Sequence, residues 1–190
     1  WQEKIYVITD SCTPKIRNTI SIKIPNITKT PLQAKRYKMD ILKNTLEQYV
    51  LFLDSDILFL DTWTEDILPL IENVFLVSNR FDRSICREMF MIFKRENFEK
   101  YDLYPDATHI DSCGNITKVA AENRESCIIL ENTAFTMQGQ YVGDKSKHIL
   151  NLPHGEQCSI NQKPFFFHYG RGETRPQETI DLWNKEARRY

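Results

Sequence analysis

The sequence is poor in glycine, and its glycines do not form a phosphate-binding fingerprint. Only six glycines occur among the 190 residues. Neither G-x-G-x-x-G nor a Walker-type G-x-x-x-x-G-K is present. Both motifs work by presenting backbone N–H groups to phosphate oxygens at a helix start. A dinucleotide-binding loop or a P-loop of the familiar kind is therefore excluded.

Long apolar runs and an excess of one charge are also missing. No run approaches the about 20 apolar residues that a membrane-spanning helix needs, and no signal peptide with a basic head and a long apolar core is found. The 25 basic and 26 acidic residues are interleaved and leave a net charge of −1. We therefore expect a globular protein without a transmembrane segment and with no nucleic-acid partner. The chain begins with Trp1, so a preceding targeting segment is left open.

Cysteine occurs without the spacing of a metal site. The five cysteines are widely spaced, odd in number and form no C-x-x-C pair, which argues against structural zinc. Free thiols in a reducing compartment are expected, and these predict a cytoplasmic location. Two glycosylation sequons, beginning at Asn26 and Asn115, leave a lumenal location open. The cysteines are Cys12, Cys86, Cys113, Cys127 and Cys158.

Apolar runs and helix signals alternate in the first half of the chain. This pattern predicts an α/β fold, a single domain over residues 1–190 whose sheet has crossover connections. The prolines after residue 9 predict irregular structure up to residue 30. Strands are predicted at 4–9, 49–60, 74–78, 89–93, 126–137 and 164–169, and helices at 31–44, 63–72 and 177–189.

The most apolar run, V-L-F-L-D-S-D-I-L-F-L at 50–60, contains two carboxylates. On one strand Asp54 and Asp56 would point to the same side, with Ser55 turned away. Two buried, ionised carboxylates repel each other, and a divalent cation such as Mn²⁺ or Mg²⁺ removes that cost. The other interpretation is a solvated turn that begins after Leu53. Because apolar residues resume at once, the pattern favours a metal or substrate site.

A second informative stretch is P-F-F-F-H-Y-G-R-G-E-T-R-P at 164–176. His168 follows three phenylalanines at a predicted strand end, and Gly170 and Gly172 allow the backbone to turn close to a ligand. Arg171 and Arg175 carry guanidinium groups suited to phosphate oxygens. With the acidic pair, these residues predict a cation held by two carboxylates and an imidazole, next to a diphosphate.

These two motifs resemble those of nucleotide-sugar glycosyltransferases with the GT-A fold. F-L-D-S-D-I-L-F, after a helix bearing A-K-R-Y, is similar to their D-x-D region. H-Y-G-R-G-E-T-R-P is similar to the H-F-x-G-x-x-K-P-W motif of the glycogenin and galactosyltransferase-like group, with Arg175 in place of lysine and Gln177 in place of tryptophan. The small size is also similar to compact glycosyltransferase domains of large algal viruses, which would place the protein in the host cytoplasm.

The resemblance implies a single GT-A domain built on a Rossmann-like mixed sheet flanked by helices, with a nucleotide-binding half at about 1–80 and an acceptor-side half at about 81–190. It implies transfer from a UDP-sugar such as UDP-glucose to a glycan or glycoprotein acceptor. Mn²⁺ (or Mg²⁺) would be held by Asp54, Asp56 and His168. The resemblance also implies a set of residues that would bind the UDP-sugar donor: Thr9, Asp10, Ser11, Lys35 or Arg36, Asp54, Ser55, Gly170, Arg171 and Arg175.

The chemistry leaves several alternatives open. An inverting reaction needs a general base, whereas the histidine motif resembles retaining enzymes. Candidate acids near the sugar are Asp111, Glu131 and Glu156, and the predicted catalytic residues are Asp56, Asp111 and Glu131. A metal-dependent nucleotidyltransferase or phosphate-ester enzyme is an alternative, because paired acids and basic loops serve those reactions too. A non-catalytic sugar-nucleotide-binding module is another.

Overall fold

The computed structural model describes most of the chain in fourteen pieces. They are residue 4 and residues 6–9, 20–23, 31–54, 56–60, 63–80, 86–103, 114–135, 141–144, 146, 148–150, 152, 154–170 and 175–189. Five residues with predicted roles lie outside the described part of the chain: Asp10, Ser11, Ser55, Asp111 and Arg171.

The described residues form five helices and ten strands. The predicted α/β class, with a mixed sheet flanked by helices, is confirmed. In chain order the elements are β1 (Tyr6–Thr9), β2 (Ile20–Lys23), α1 (Pro31–Leu42), β3 (Tyr49–Leu53), β4 (Ile57–Phe59), α2 (Trp63–Ile71), β5 (Leu76–Arg80), β6 (Cys86–Lys94), α3 (Arg95–Tyr101), α4 (Gly114–Glu122), β7 (Cys127–Phe135), β8 (Tyr141–Val142), β9 (Glu156–Ile160), β10 (Lys163–His168) and α5 (Gln177–Ala187).

The main sheet has the strand order β3-β6-β5-β7-β9-β10-β4, with β8 paired to β7. Among its described pairs only β5 and β7 run parallel, and the others are antiparallel. β1 and β2 form a separate parallel pair. Within the first half of the chain, β6 pairs antiparallel with both β3 and β5. β5 and β7 are connected through β6, α3 and α4.

The main sheet curls back on itself. β3 and β4 lie at opposite ends of its strand order, a distance of about 29 Å in a flat sheet. Yet Leu53 and Ile57 are joined by three residues, which reach at most about 14 Å. Ring contacts bridge the inside of the curl: Phe90 on β6 lies 6.3 Å from Phe59 on β4 and 5.0 Å from Phe166 on β10. The end of β3 is thereby brought next to the end of β10.

Helices cover both faces of this curled sheet. On the outer face, Met39 of α1, Phe98 of α3 and Ile116 of α4 pack in one core cluster. On the inner face, Ile67 and Ile71 of α2 belong to the cluster that also contains Phe90 and Phe166. Pro69 lies inside α2.

The C-terminal helix packs on the outer side of β10. The Trp183 ring lies 5.6 Å from Phe167 and stacks on Tyr169, with centroids 4.9 Å apart and planes 23° apart. Phe167 and Tyr169 alternate with His168 along the chain, so His168 points to the opposite side of the strand. α5 therefore supports β10 from behind the histidine.

Several predicted elements need correction. The run 49–60 is two strands, β3 and β4, and Asp54 and Asp56 lie between them. The interpretation that β3 ends at Leu53 is therefore right. The region 11–30, predicted as irregular, contains β2. β5 begins two residues later than predicted, and β6 extends beyond 89–93 at both ends.

Four elements of the described part of the chain were not predicted from the sequence pattern: the helices α3 and α4 and the strands β8 and β9. Cys127 and Cys158, the cysteines whose side chains are described, carry free thiols as expected. No helix in the described part of the chain is long and apolar enough to cross a membrane.

Candidate metal centre

Three elements bring the predicted ligands together. Asp54 directly follows β3, and its N–H continues the ladder by donating to the carbonyl of Met89 at 3.0 Å. Asp56 directly precedes β4, and its carbonyl accepts the N–H of Tyr169 at 3.0 Å. His168 ends β10, opposite Ile57 in the β4 register. The bend between β3 and β4 and the end of β10 are thus locked together by backbone hydrogen bonds.

The three side chains form a compact donor set. One ligand atom each of Asp54, Asp56 and His168 lies within 4.8 Å of the others. His168 Nε2 is 3.2 Å from Asp56 Oδ1, and the Gly170 N–H donates to Asp56 Oδ2 at 3.0 Å. His168 is buried, and both aspartates are partly exposed. Two carboxylates and an imidazole suit Mn²⁺ or Mg²⁺, and the open side leaves room for a further ligand.

The surroundings favour the ionised form of Asp56. Burial by itself would raise the pKa of this carboxyl group. The hydrogen bond and electrostatic interaction with His168, together with backbone N–H groups including that of Gly170, outweigh burial and lower the pKa of Asp56 below its usual range. The carboxylate is therefore kept in the form that binds a cation.

Lys38 supplies a positive charge that the sequence reasoning missed. Its Nζ lies 3.5 Å from Asp54 Oδ1, whereas Arg36 on the same helix is exposed. The side chain of Lys35 is outside the described residues. Lys38 follows Lys35 by three residues, a helical spacing, and this spacing is the signal in the sequence that points to Lys38 beyond the predicted Lys35 and Arg36.

We expect Lys38→Met to bind Mn²⁺ about two- to fivefold more tightly than the unmodified protein when no nucleotide is present. Lys38 competes with a cation for Asp54, and a part-exposed ion pair of this kind is worth about 0.5–1 kcal/mol. Titration with Mn²⁺, followed by electron paramagnetic resonance of the free ion, measures this. Arg36→Met is the matched control, and an equal gain in both variants would contradict a specific Lys38–Asp54 pair.

Arg175 acts on the loop that carries the histidine. Its Nε donates to the Gly170 carbonyl at 3.3 Å, and Gly170 has the left-handed φ of +66° that favours glycine. Burial raises the pKa of Tyr169 while the Arg175 charge opposes this, and burial together with Arg175 lowers the pKa of His154. The Arg175 charge therefore acts on residues next to the donor set, and its predicted contact with a diphosphate stays a prediction.

The remaining predicted residues are not all brought to this cluster. Thr9 ends β1 in the separate two-stranded sheet, and its side chain is outside the described residues. Glu131 is exposed on β7 and pairs with Ser159, two strands away from β10. Glu156 is the direct cross-strand neighbour of His168. Of the two described candidate acids near the sugar, Glu156 is therefore the one beside the metal ligands.

Comparisons with protein-family models, with curated proteins and with solved structures find no match to this chain. The family resemblance therefore rests on the two sequence motifs, and the chemistry must be argued from the donor set itself.

Proposed function

We propose that this protein is a metal-dependent glycosyltransferase that moves a sugar from a UDP-sugar to an acceptor hydroxyl on a glycan or glycoprotein, within a GT-A type of fold. One observation carries the proposal. Asp54, Asp56 and His168, two of them more than 110 residues from the third, present their ligand atoms within 4.8 Å of one another. The same three residues are the metal ligands that the D-x-D and histidine motifs imply.

The proposed chemistry depends on stabilising the leaving diphosphate. A bound Mn²⁺ or Mg²⁺ would supply positive charge for that group. Asp54, Asp56 and His168 would hold the cation, and Gly170 orients Asp56 through its N–H. Lys38, next to Asp54, and Arg175, next to Gly170, add positive charge close to the cluster. Charge placed in advance where negative charge develops lowers the barrier to breaking the anomeric C–O bond.

The other roles follow the motif resemblance. Thr9, Asp10 and Ser11 would meet the uracil and ribose, and Asp54 would lie near the ribose. The histidine motif supports retention of configuration at the sugar, which requires no general base on the attacking face. The acceptor hydroxyl would then attack from the side on which the diphosphate leaves.

Calorimetry with UDP in the presence and absence of Mn²⁺ tests the proposal. We expect UDP to bind with Mn²⁺ present and to lose most of its affinity when EDTA is added. UDP-sugars should be hydrolysed slowly to UDP and free sugar when no acceptor is supplied. Release of pyrophosphate from nucleoside triphosphates would instead support a nucleotidyltransferase, and failure of UDP to bind with Mn²⁺ would remove the basis of the proposal.

A further inference from the structure

Lys38 lies next to the donor set because α1 packs against β3. Met39 and Leu42 of α1 are buried in the same apolar cluster as Phe52 of β3. The Lys38 ammonium lies 5.8 Å from the centre of the Phe52 ring and 3.5 Å from Asp54 Oδ1. The Lys38 side chain is 22% exposed, less than the 40% of Asp54. The packing of α1 therefore holds a positive charge beside one of the carboxylates of the donor set.

The contact between Lys38 and Asp54 is of a kind that exchanges easily. Its length of 3.5 Å exceeds the about 2.7–2.9 Å that is usual for a charge-assisted hydrogen bond. Lysine has a flexible four-carbon stem and three donors, so its ammonium can turn to another oxygen within its reach. Asp56, by contrast, accepts the backbone N–H of Gly170, which carries no net charge and is fixed by the chain. Lys38 is thus the mobile positive charge at the donor set.

A cation bound at the donor set changes the electrostatics of Lys38. The two negative charges of Asp54 and Asp56 balance the two positive charges of Mn²⁺ or Mg²⁺. The charge of Lys38 is then left unbalanced within the cluster, and it repels a cation that uses the same carboxylate. A diphosphate removes this conflict, because its oxygens bind a divalent cation and also accept hydrogen bonds from an ammonium group.

We infer that Lys38 exchanges Asp54 for a diphosphate oxygen when cation and nucleotide are both bound, and that this exchange makes the two ligands bind cooperatively. The inference rests on the proposed function, which supplies the diphosphate of UDP. Without ligands, Lys38 contacts Asp54. With the cation alone, Lys38 has lost that partner, and UDP provides a new one. Each ligand therefore strengthens the binding of the other.

The strength of the Lys38–Asp54 pair sets the size of this coupling. Without UDP, a cation has to break the pair before it can use Asp54 fully. With UDP bound, the ammonium already lies at the diphosphate, which carries more negative charge than a carboxylate, so no pair is broken. The coupling that Lys38 carries is therefore about two- to fivefold, the range of a part-exposed ion pair. Linkage requires the same factor in UDP affinity measured with and without the cation.

Titrations with Mn²⁺, with and without saturating UDP, test this inference by electron paramagnetic resonance of the free ion. The Mn²⁺ that UDP binds in protein-free solution is subtracted. We expect Lys38→Met to bind Mn²⁺ about two- to fivefold more tightly than the unmodified protein without UDP, and equally tightly with UDP. In calorimetry with Mn²⁺ present, the same variant should bind UDP about tenfold more weakly, the usual loss for a hydrogen bond to a charged group.

Two further variants show whether the exchange belongs to Lys38. Lys43→Met removes the same charge at the end of α1, where Lys43 pairs with Asp40 at 3.6 Å and both side chains are about half exposed. This variant should change neither Mn²⁺ nor UDP affinity. Lys38→Arg keeps a positive charge that reaches either partner, so it should keep most of the coupling that Lys38→Met loses.

The outcomes separate this inference from the proposed function. If Lys38→Met tightens Mn²⁺ binding equally with and without UDP, or not at all, the exchange is overturned while the metal centre stands. Unchanged UDP affinity of Lys38→Met with Mn²⁺ present overturns it as well. If the unmodified protein does not bind UDP with Mn²⁺, the proposed function falls and the exchange falls with it. Thermal unfolding of each variant verifies that it is folded.

Discussion

Asp56→Asn is expected to weaken Mn²⁺-dependent UDP binding on the order of 100-fold or more, since even residues that only orient a metal ligand cost 10- to 100-fold. The change removes one of two negative charges from the donor set. It also removes the charged partner of His168 Nε2 at 3.2 Å, so the ring loses a contact that orients it. The asparagine oxygen can still accept from the Gly170 N–H, and the backbone bond from Tyr169 is untouched. The fold should therefore persist while the metal is lost.

The matched control for this change is Asp102→Asn. Asp102 is exposed at the end of α3, and asparagine tolerates its left-handed φ of +46°. α3 begins near the start of β3, where the Arg95 N–H donates to the Gln48 carbonyl. Asp54 follows the other end of that strand, so Asp102 lies far from the donor set along β3. Calorimetry with Mn²⁺ and UDP compares the two variants. Unchanged UDP binding in Asp56→Asn, with the protein folded, would refute the assignment of Asp56 as a metal ligand.

Much of the architecture follows from local sequence pattern. The strands β1, β7 and β10 and the helices α1, α2 and α5 coincide within a few residues with apolar runs, proline positions and turn residues that mark them in the sequence. The residues of the donor set could also be picked out from the sequence, because Asp54 and Asp56 interrupt an apolar run and His168 ends one. In both places a polar group stands where a burial pattern alone would put an apolar residue.

The remaining features depend on contacts between distant parts of the chain. The separation of β3 from β4 follows from the curl, which places β10 beside β4 and β6 beside β3, and no pattern within residues 50–60 encodes those partners. The pairing of Glu156 with His168 depends in the same way on the β9–β10 register. Lys38 became relevant only because α1 lies beside the end of β3. Short periodicities do not contain this information.

Gly155→Ala should be the most damaging single-methyl change in the described part of the chain. Gly155 has a φ of +121°, which residues with a side chain rarely adopt. An added Cβ would lie 2.5 Å from Cε1 of Phe167 and 2.7 Å from the carbonyl oxygen of His168. That carbonyl belongs to the β9–β10 ladder and cannot move independently of it. Backbone strain and overpacking together predict a loss of about 3 kcal/mol or more in the free energy of unfolding.

Gly143→Ala is the comparison that separates the clash from the loss of glycine. Gly143 also has a positive φ, +86°, but the contacts of an added Cβ would be longer there, 3.0 Å to Thr133 Oγ1 and 3.1 Å to the Asn132 carbonyl oxygen. The thermal unfolding temperature should fall by about 6–12 °C for Gly155→Ala and by less than half of that for Gly143→Ala.

The damage from Gly155→Ala should also reach the metal centre. The methyl group pushes on Phe167 and on the backbone of His168, the residue that supplies the nitrogen ligand. We therefore expect weaker Mn²⁺ binding in Gly155→Ala even at temperatures where it remains folded, and unchanged Mn²⁺ binding in Gly143→Ala. Equal unfolding temperatures for the two variants would contradict the predicted clash, because β9 and β10 would then accommodate the added methyl group at Gly155 without loss of stability. The close packing that holds His168 against Asp56 would then have to come from α5, through the stack of Trp183 on Tyr169.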